Sequence, residues 1–149
     1  MTEATATAAV VTTPWYRRTA PPQLGDLATG LWFMGHAQLY LAAVGLVIGV
    51  AGVVGLVGII AISIATGAHA PFDWPITVML ALPFAAAFLF SGLTLRVVAT
   101  IVDARATPFG RAVTTVGMMV LIAAGAYAIV AIGFGIVIIG SYVLAQSFS

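Results

Sequence analysis

The sequence predicts an all-α integral membrane protein with three transmembrane helices, an N-terminal extended tail and a short interfacial helix. Hydrophobic residues make up 62% of the 149 residues, and charged residues only 6%. A chain this short cannot hide so much apolar surface in a soluble core. Three uninterrupted apolar segments are each long enough to cross a hydrocarbon layer of roughly 30 Å. Most of this surface is therefore expected to face lipid.

Composition excludes several kinds of site and partner. The chain has no cysteine, which rules out disulfides, thiolate metal sites and cysteine-ligated iron–sulfur clusters. Its net charge of +1 argues against a nucleic-acid partner.

Residues 1–22 are rich in Ala, Thr and Pro and show no apolar period, which predicts an extended cytoplasmic tail. No short apolar core with a basic residue before it occurs there, so a cleaved signal peptide is not expected. The tail also carries the adjacent residues Trp15, Tyr16, Arg17 and Arg18. We expect these four to contact anionic headgroups or a cytoplasmic partner.

Residues 23–149 are predicted to form the membrane domain. An interfacial helix is expected over 23–38, where Leu24, Leu27 and Leu31 recur at helical spacing among polar residues. The first span, TM1, is predicted over 39–66, with its end at a glycine.

The second span, TM2, is predicted over 75–100. Asp73 is expected to cap it, and Pro83 is expected to kink it by removing one backbone hydrogen bond. The third span, TM3, is predicted over 110–142, with Thr107 as the cap and Pro108 as the first helical residue.

The arginines predict the orientation. All basic residues of the chain are arginines that precede TM1 or surround the turn after TM2, namely Arg17, Arg18, Arg96, Arg105 and Arg111. By the positive-inside rule, the N-terminus is cytoplasmic and the C-terminus lies outside, in a multi-pass protein of the inner (plasma) membrane.

Neither histidine is expected to hold a cofactor within this chain alone. His36 precedes TM1 and His69 follows it, so the membrane separates them and they cannot ligate one haem together. We expect His36, with Trp32, to lie at the interface, where its ring hydrogen-bonds a headgroup, water or a neighbouring chain. Arg96 and Asp103 are seven residues apart and are interpreted as a snorkelling arginine and a solvated carboxylate.

Within 41–66, 76–94 and 113–140, the predicted spans carry small residues in stripes and no Asp, Glu, His, Lys or Arg, the ionisable residues that transporters and proton channels place at membrane depth. Small residues allow close helix packing in lipid. The predicted packing residues are Gly45, Gly49 and Gly52 in TM1 and Gly117, Ala124, Ala128, Ala131 and Gly135 in TM3. Whether TM3 packs on TM1 or on another subunit stays open at this point.

In its three spans, its Ala/Gly/Val-rich and cysteine-free character and its N-terminal tail, the chain resembles the small accessory subunits of actinobacterial aa3-type cytochrome c oxidase, found in the bcc-aa3 respiratory supercomplex. The nearest approach to a motif is Gly35-His36-Ala37-Gln38-Leu39-Tyr40, onto which no ligand role is transferred. The resemblance implies a non-catalytic accessory subunit that stabilises assembly of this electron-transport complex, with haem a and copper in its partner subunits.

Two other readings remain open. One is a quinone-site or haem-anchoring subunit similar to the membrane subunits of succinate dehydrogenase, with quinone contact through Trp32, His36 and Arg96. The chain departs from that family because no histidine lies inside a predicted span. The other is a small homo-oligomeric transporter or pore, which would still lack an ionisable coupling group.

Overall fold

The computed structural model describes residues 24–67 and 73–147, and the regular structure in these ranges is helical. The helices are α1 (Asp26–Thr66), α2 (Asp73–Met79), α3 (Ala81–Asp103) and α4 (Pro108–Ser147). Three stretches are long and apolar enough to span a membrane: α1, the combined α2 and α3 from Trp74, and α4 to Leu144. The prediction of an all-α chain with three such helices is confirmed.

Several predictions fall outside this part of the chain. The tail over 1–22, with Trp15, Tyr16, Arg17 and Arg18, lies outside the described residues, as does His69. The side chain of Asp73, predicted to cap the second span, is also not described.

The separate interfacial helix over 23–38 is corrected by the structure. α1 runs without interruption for 41 residues, so the predicted interfacial helix and TM1 are one helix. Residues 26–66 contain no proline and no turn signal, and the N-terminal part packs against α3, which holds it in line with the rest. Gly67 ends the helix as predicted, with a left-handed φ of 65° and its N–H donating to Ser63 O at 2.9 Å.

The second span is broken as the sequence predicts, but the break precedes the proline. The helix is interrupted at Leu80, between α2 and α3. Pro83 has no N–H to donate to the carbonyl of Met79, four residues earlier, so the hydrogen-bond ladder loses its bond at that point. The predicted irregularity therefore lies one turn before Pro83, at Leu80.

The start of α4 confirms the predicted cap. Pro108 is the first helical residue, and the Gly110 N–H donates to Thr107 Oγ1 at 3.1 Å.

We expect Thr107→Ala to lower the free energy of unfolding by about 1 kcal/mol, because one backbone N–H of the first turn loses its acceptor. Thr107→Ser keeps the hydroxyl and should retain most of that stability. Denaturant titrations of both variants followed by circular dichroism check this, and equal stability of the two would contradict a capping role.

α3 is the central helix. α1 packs antiparallel along α2 and α3, and α4 packs antiparallel along the other side of α3, while no Cα atom of α1 lies within 8 Å of one in α4 among the described residues. The buried core lies toward the end of α3 that precedes the Arg105 turn. Its members come from all three long helices: Ala28, Leu31, Trp32, Leu95, Val98, Ala99, Val102 and Ile122.

Candidate functional site

A pair of facing glycines marks a close approach between α1 and α3. A Cβ atom on Gly35 would lie 2.8 Å from the carbonyl oxygen of Gly92, and one on Gly92 would lie 2.8 Å from the carbonyl oxygen of Gly35. Both residues are buried. Because backbone meets backbone here, the position of this crossing depends on glycine in both helices.

Arg96 lies beside this crossing and stacks on Trp32. Its Cζ is 4.1 Å from the centre of the Trp32 ring, and the two side chains are 7% and 3% exposed. A guanidinium over an indole face is an attractive cation–π arrangement that strengthens when water is excluded. The interpretation of Arg96 as a snorkelling side chain is therefore wrong, since α1 covers it.

His36 lies one helical turn after Trp32 on α1. Its ring meets that of Tyr40 edge-on, with 5.3 Å between the ring centres. The residue is half-buried, and its Nδ1 atom is buried with no hydrogen-bond partner among the described residues. The predicted contact with a headgroup, water or neighbouring chain stays a prediction. We call Trp32, His36 and Arg96 the arginine cluster.

A second polar contact joins the two helices next to the glycine pair. The Ser91 hydroxyl, which is buried, donates to Gln38 Oε1. Sequence reasoning singled out neither Gly92 nor this bond. The adjacent small residues Ser91 and Gly92 were the available signal, but a small pair is common in an Ala/Gly-rich chain and does not identify its partner.

At the same end of the molecule, two hydrogen bonds involve charged residues. Asp103 Oδ1 accepts the N–H of Gly25, the residue before α1, at 3.0 Å. Arg111 Nε donates to the carbonyl of Arg105 at 2.8 Å across the turn between α3 and α4. Asp103 thus ties the start of α1 to the end of α3 and is not simply a solvated carboxylate.

An apolar groove lies along the α1 and α3 interface. It encloses about 530 Å³ and is open on one side. Among its lining residues, Leu39 lies three residues after His36 on α1, and Leu89 lies seven residues before Arg96 on α3. These spacings place each leucine on the same face of its helix as the cluster residue. The groove, here called the α1–α3 groove, is lined by Leu39, Ala42, Ala43, Leu46, Leu82, Ala85, Ala86 and Leu89.

The predicted stripe of TM1 faces the inside of the molecule. A Cβ on Gly45 would lie 3.1 Å from that of Ala85, and one on Gly49 would clash with Leu82. At Gly52, the nearest atom would be the backbone nitrogen of Met79 at 2.8 Å. These three glycines therefore line the contact of α1 with α2 and α3.

The predicted stripe of TM3 faces away from the other helices that the structure describes. Ala124, Ala128 and Ala131 are exposed, and a Cβ on Gly117 or Gly135 would meet no atom within 4 Å in the described structure. Of the two partners that the sequence left open, TM1 is excluded among the described residues.

Different glycines carry the contact of α4 with α3. A Cβ on Gly125 would lie 2.6 Å from the Phe90 ring, and one on Gly133 would lie 2.7 Å from Pro83. Nearby, the Phe84 and Phe134 rings meet edge-on, with 5.5 Å between their centres. Periodicity alone did not distinguish this face from the predicted one.

The described part of the chain offers three arginines, one histidine and several carboxylate, hydroxyl and amide groups for recognition. No group of three or more His, Asp or Glu side chains that could hold a metal ion occurs among the described residues.

Comparison with protein-family models, curated proteins and solved structures found no match to this chain.

Proposed function

We propose that this chain is a non-catalytic accessory subunit of a larger membrane complex, which it joins through the exposed small-residue face of α4. The resemblance described above makes cytochrome c oxidase in a respiratory supercomplex the first complex to test. In this proposal the N-terminus is cytoplasmic, and haem a and copper are held by the partner subunits.

The observation that carries the proposal is the outward position of the α4 stripe. Small residues let another helix approach closely, and in lipid close packing replaces the hydrophobic drive for association. The described chain itself uses other residues of α4 for contact with α3, so Ala124, Ala128 and Ala131 are left for a helix from elsewhere.

The length of α4 supports the same conclusion. Its 40 residues extend for roughly 60 Å at about 1.5 Å per residue, and no charged residue follows Arg111. A helix tilted by about 40° crosses a ~30 Å hydrocarbon layer in about 40 Å. The remaining apolar surface extends past the lipid and is best covered by other subunits.

We expect Ala128→Leu to reduce the recovery of partner subunits with the tagged chain, because a leucine fills the space that a neighbouring helix needs. The measurement is a mild-detergent pull-down from native membranes, with mass spectrometry and an absorption spectrum of the eluate. Haem a bands and oxidase subunits with the unmodified chain are the result expected for the proposed complex.

Ala123→Leu is the matched control. Ala123 is exposed like Ala128. It lies about 100° around the helix from Ala124, a residue of the small-residue face, and is therefore outside that face. This control should leave recovery unchanged. Equal recovery of every partner with Ala128→Leu would contradict the α4 interface, whereas recovery of flavoprotein and iron–sulfur subunits would replace the oxidase with a quinone-linked complex.

A further inference from the structure

A single polar side chain stands in the middle of the exposed surface of α4. Tyr127 is 77% exposed, and its hydroxyl forms no hydrogen bond with any described residue. Between Thr115 and Ser141, every other residue of α4 has an apolar side chain or is glycine. Tyr127 also lies about midway between Arg111, after which the sequence has no charged residue, and Tyr142.

In the proposed membrane location this hydroxyl is out of reach of water. Tyr127 lies about 24 Å from Arg111 along the helix axis, at about 1.5 Å per residue, and hence inside a hydrocarbon layer of roughly 30 Å that begins near that arginine. A hydroxyl without a hydrogen-bond partner in such a layer costs free energy, as it does in a protein core. The exposed position of Tyr127 therefore leaves its hydroxyl unsatisfied rather than solvated.

The two hydroxyls of α4 that flank this region bond to their own helix. Thr115 Oγ1 donates to the carbonyl of Arg111 at 2.8 Å, and Ser141 Oγ donates to the carbonyl of Ile138 at 2.8 Å. Short side chains of this kind can reach a carbonyl of the preceding turn. The hydroxyl of a tyrosine stands at the far end of its ring, too far from its own backbone for such a bond. Its acceptor has to come from another part of the assembly.

Tyr127 borders the small-residue stripe of α4. It lies about 60° around the helix from Ala124 and about 40° from Ala131, and both alanines are exposed. Gly125, which packs against Phe90 of α3, is two residues away and so lies on the opposite side of the helix. A helix that packs on the stripe therefore passes along the ring of Tyr127.

We infer that the Tyr127 hydroxyl donates a hydrogen bond to a polar side chain at the same depth on the partner helix that packs on α4. Asn, Gln, Ser, Thr and His side chains form such bonds between helices in membranes. A lipid acyl chain has no acceptor, and a uniformly apolar helix already uses its carbonyls within its own backbone. The inference rests on the proposed α4 interface and adds the chemistry of the partner: a transmembrane helix with a polar residue near its middle.

The first experiment removes the hydroxyl and keeps the ring. Tyr127→Phe should lower recovery of the partner in the mild-detergent pull-down by about threefold, the size of an average hydrogen bond between membrane helices. Tyr142→Phe is the matched control, because Tyr142 is 64% exposed on the same helix but its hydroxyl already accepts a hydrogen bond from Gln146 Nε2 at 2.7 Å. This control should leave recovery unchanged, and circular dichroism verifies that both variants keep their helix content.

The second experiment locates the acceptor. Tyr127→p-benzoylphenylalanine is irradiated in native membranes, and mass spectrometry identifies the residue to which it couples. We expect coupling within one turn of a polar residue in a transmembrane helix of a recovered subunit. Replacing that polar residue by an apolar one should lower recovery as much as Tyr127→Phe does, and combining the two changes should add no further loss, since a single bond is removed either way.

Several outcomes would overturn the inference. Recovery that falls with Ala128→Leu but not with Tyr127→Phe would remove the hydrogen bond and leave the α4 interface standing, whereas recovery unchanged by Ala128→Leu would contradict the proposed function itself. An equal loss with Tyr142→Phe, or additive losses in the combined variant, would show that no specific bond forms at Tyr127. Coupling to a second copy of this chain, or to lipid alone, would assign this surface to self-association or to the bilayer instead.

Discussion

Gly35→Ala is expected to destabilise the packing of α1 on α3 by about 1–3 kcal/mol, the usual cost of forcing extra atoms into a close-packed contact. The new methyl group would lie 2.8 Å from the carbonyl oxygen of Gly92 and 3.0 Å from Cγ of Arg96. Backbone cannot rotate out of the way as a side chain can, so the two helices must separate. Denaturant-induced unfolding in mixed micelles, followed by fluorescence and circular dichroism, measures the change.

Gly117→Ala is the matched control, because it makes the same chemical change on a helix. A Cβ there meets no atom within 4 Å of the described structure. Alanine is favoured over glycine in a helix by up to about 1 kcal/mol, so this variant should be unchanged or slightly more stable. Equal effects of the two substitutions would show that α1 and α3 do not cross at Gly35.

Leu95→Ala is expected to lower the free energy of unfolding by about 2 kcal/mol, at the low end of the range for leucine truncation in protein cores. Leu95 is 1% exposed and belongs to the buried cluster that joins α1, α3 and α4. Lipid is as apolar as the core, so the loss comes mainly from the cavity and the missing packing contacts.

The control for this prediction is Leu121→Ala on α4. Leu121 is 65% exposed, and truncation of an exposed side chain usually changes stability by less than about 0.5 kcal/mol. The same unfolding titration applies. If Leu121→Ala destabilised the purified chain as much as Leu95→Ala, the assignment of the core to this end of α3 would be wrong.

Local signals in the sequence predicted two helix ends correctly. Gly67 ends α1, and Thr107 with Pro108 begins α4, because these signals act through hydrogen bonds within a few residues of one another. The break in the second span was predicted for the same reason, although it lies at Leu80 rather than at Pro83.

Contacts between one helix and another were predicted less well. The division of α1 into an interfacial helix and a span was wrong, because polar residues such as Gln38 were interpreted as a sign of the membrane interface. In the structure Gln38 accepts a hydrogen bond from Ser91 on α3. The polarity of a residue does not reveal whether its partner is water, lipid or another helix.

The sequence by itself predicted an all-α chain with three helices long and apolar enough to span a membrane, because 62% of its 149 residues are hydrophobic and the chain is too short to enclose them in a soluble core. The tertiary structure decided which helix faces pack inside the chain and which remain exposed. The glycines of α1 pack inside the chain, the small residues of α4 point outward, and Arg96 lies against Trp32. Periodicity fixes which residues share a face of a helix, but the direction in which that face points depends on how neighbouring helices cross, and that follows from contacts between residues far apart in the chain.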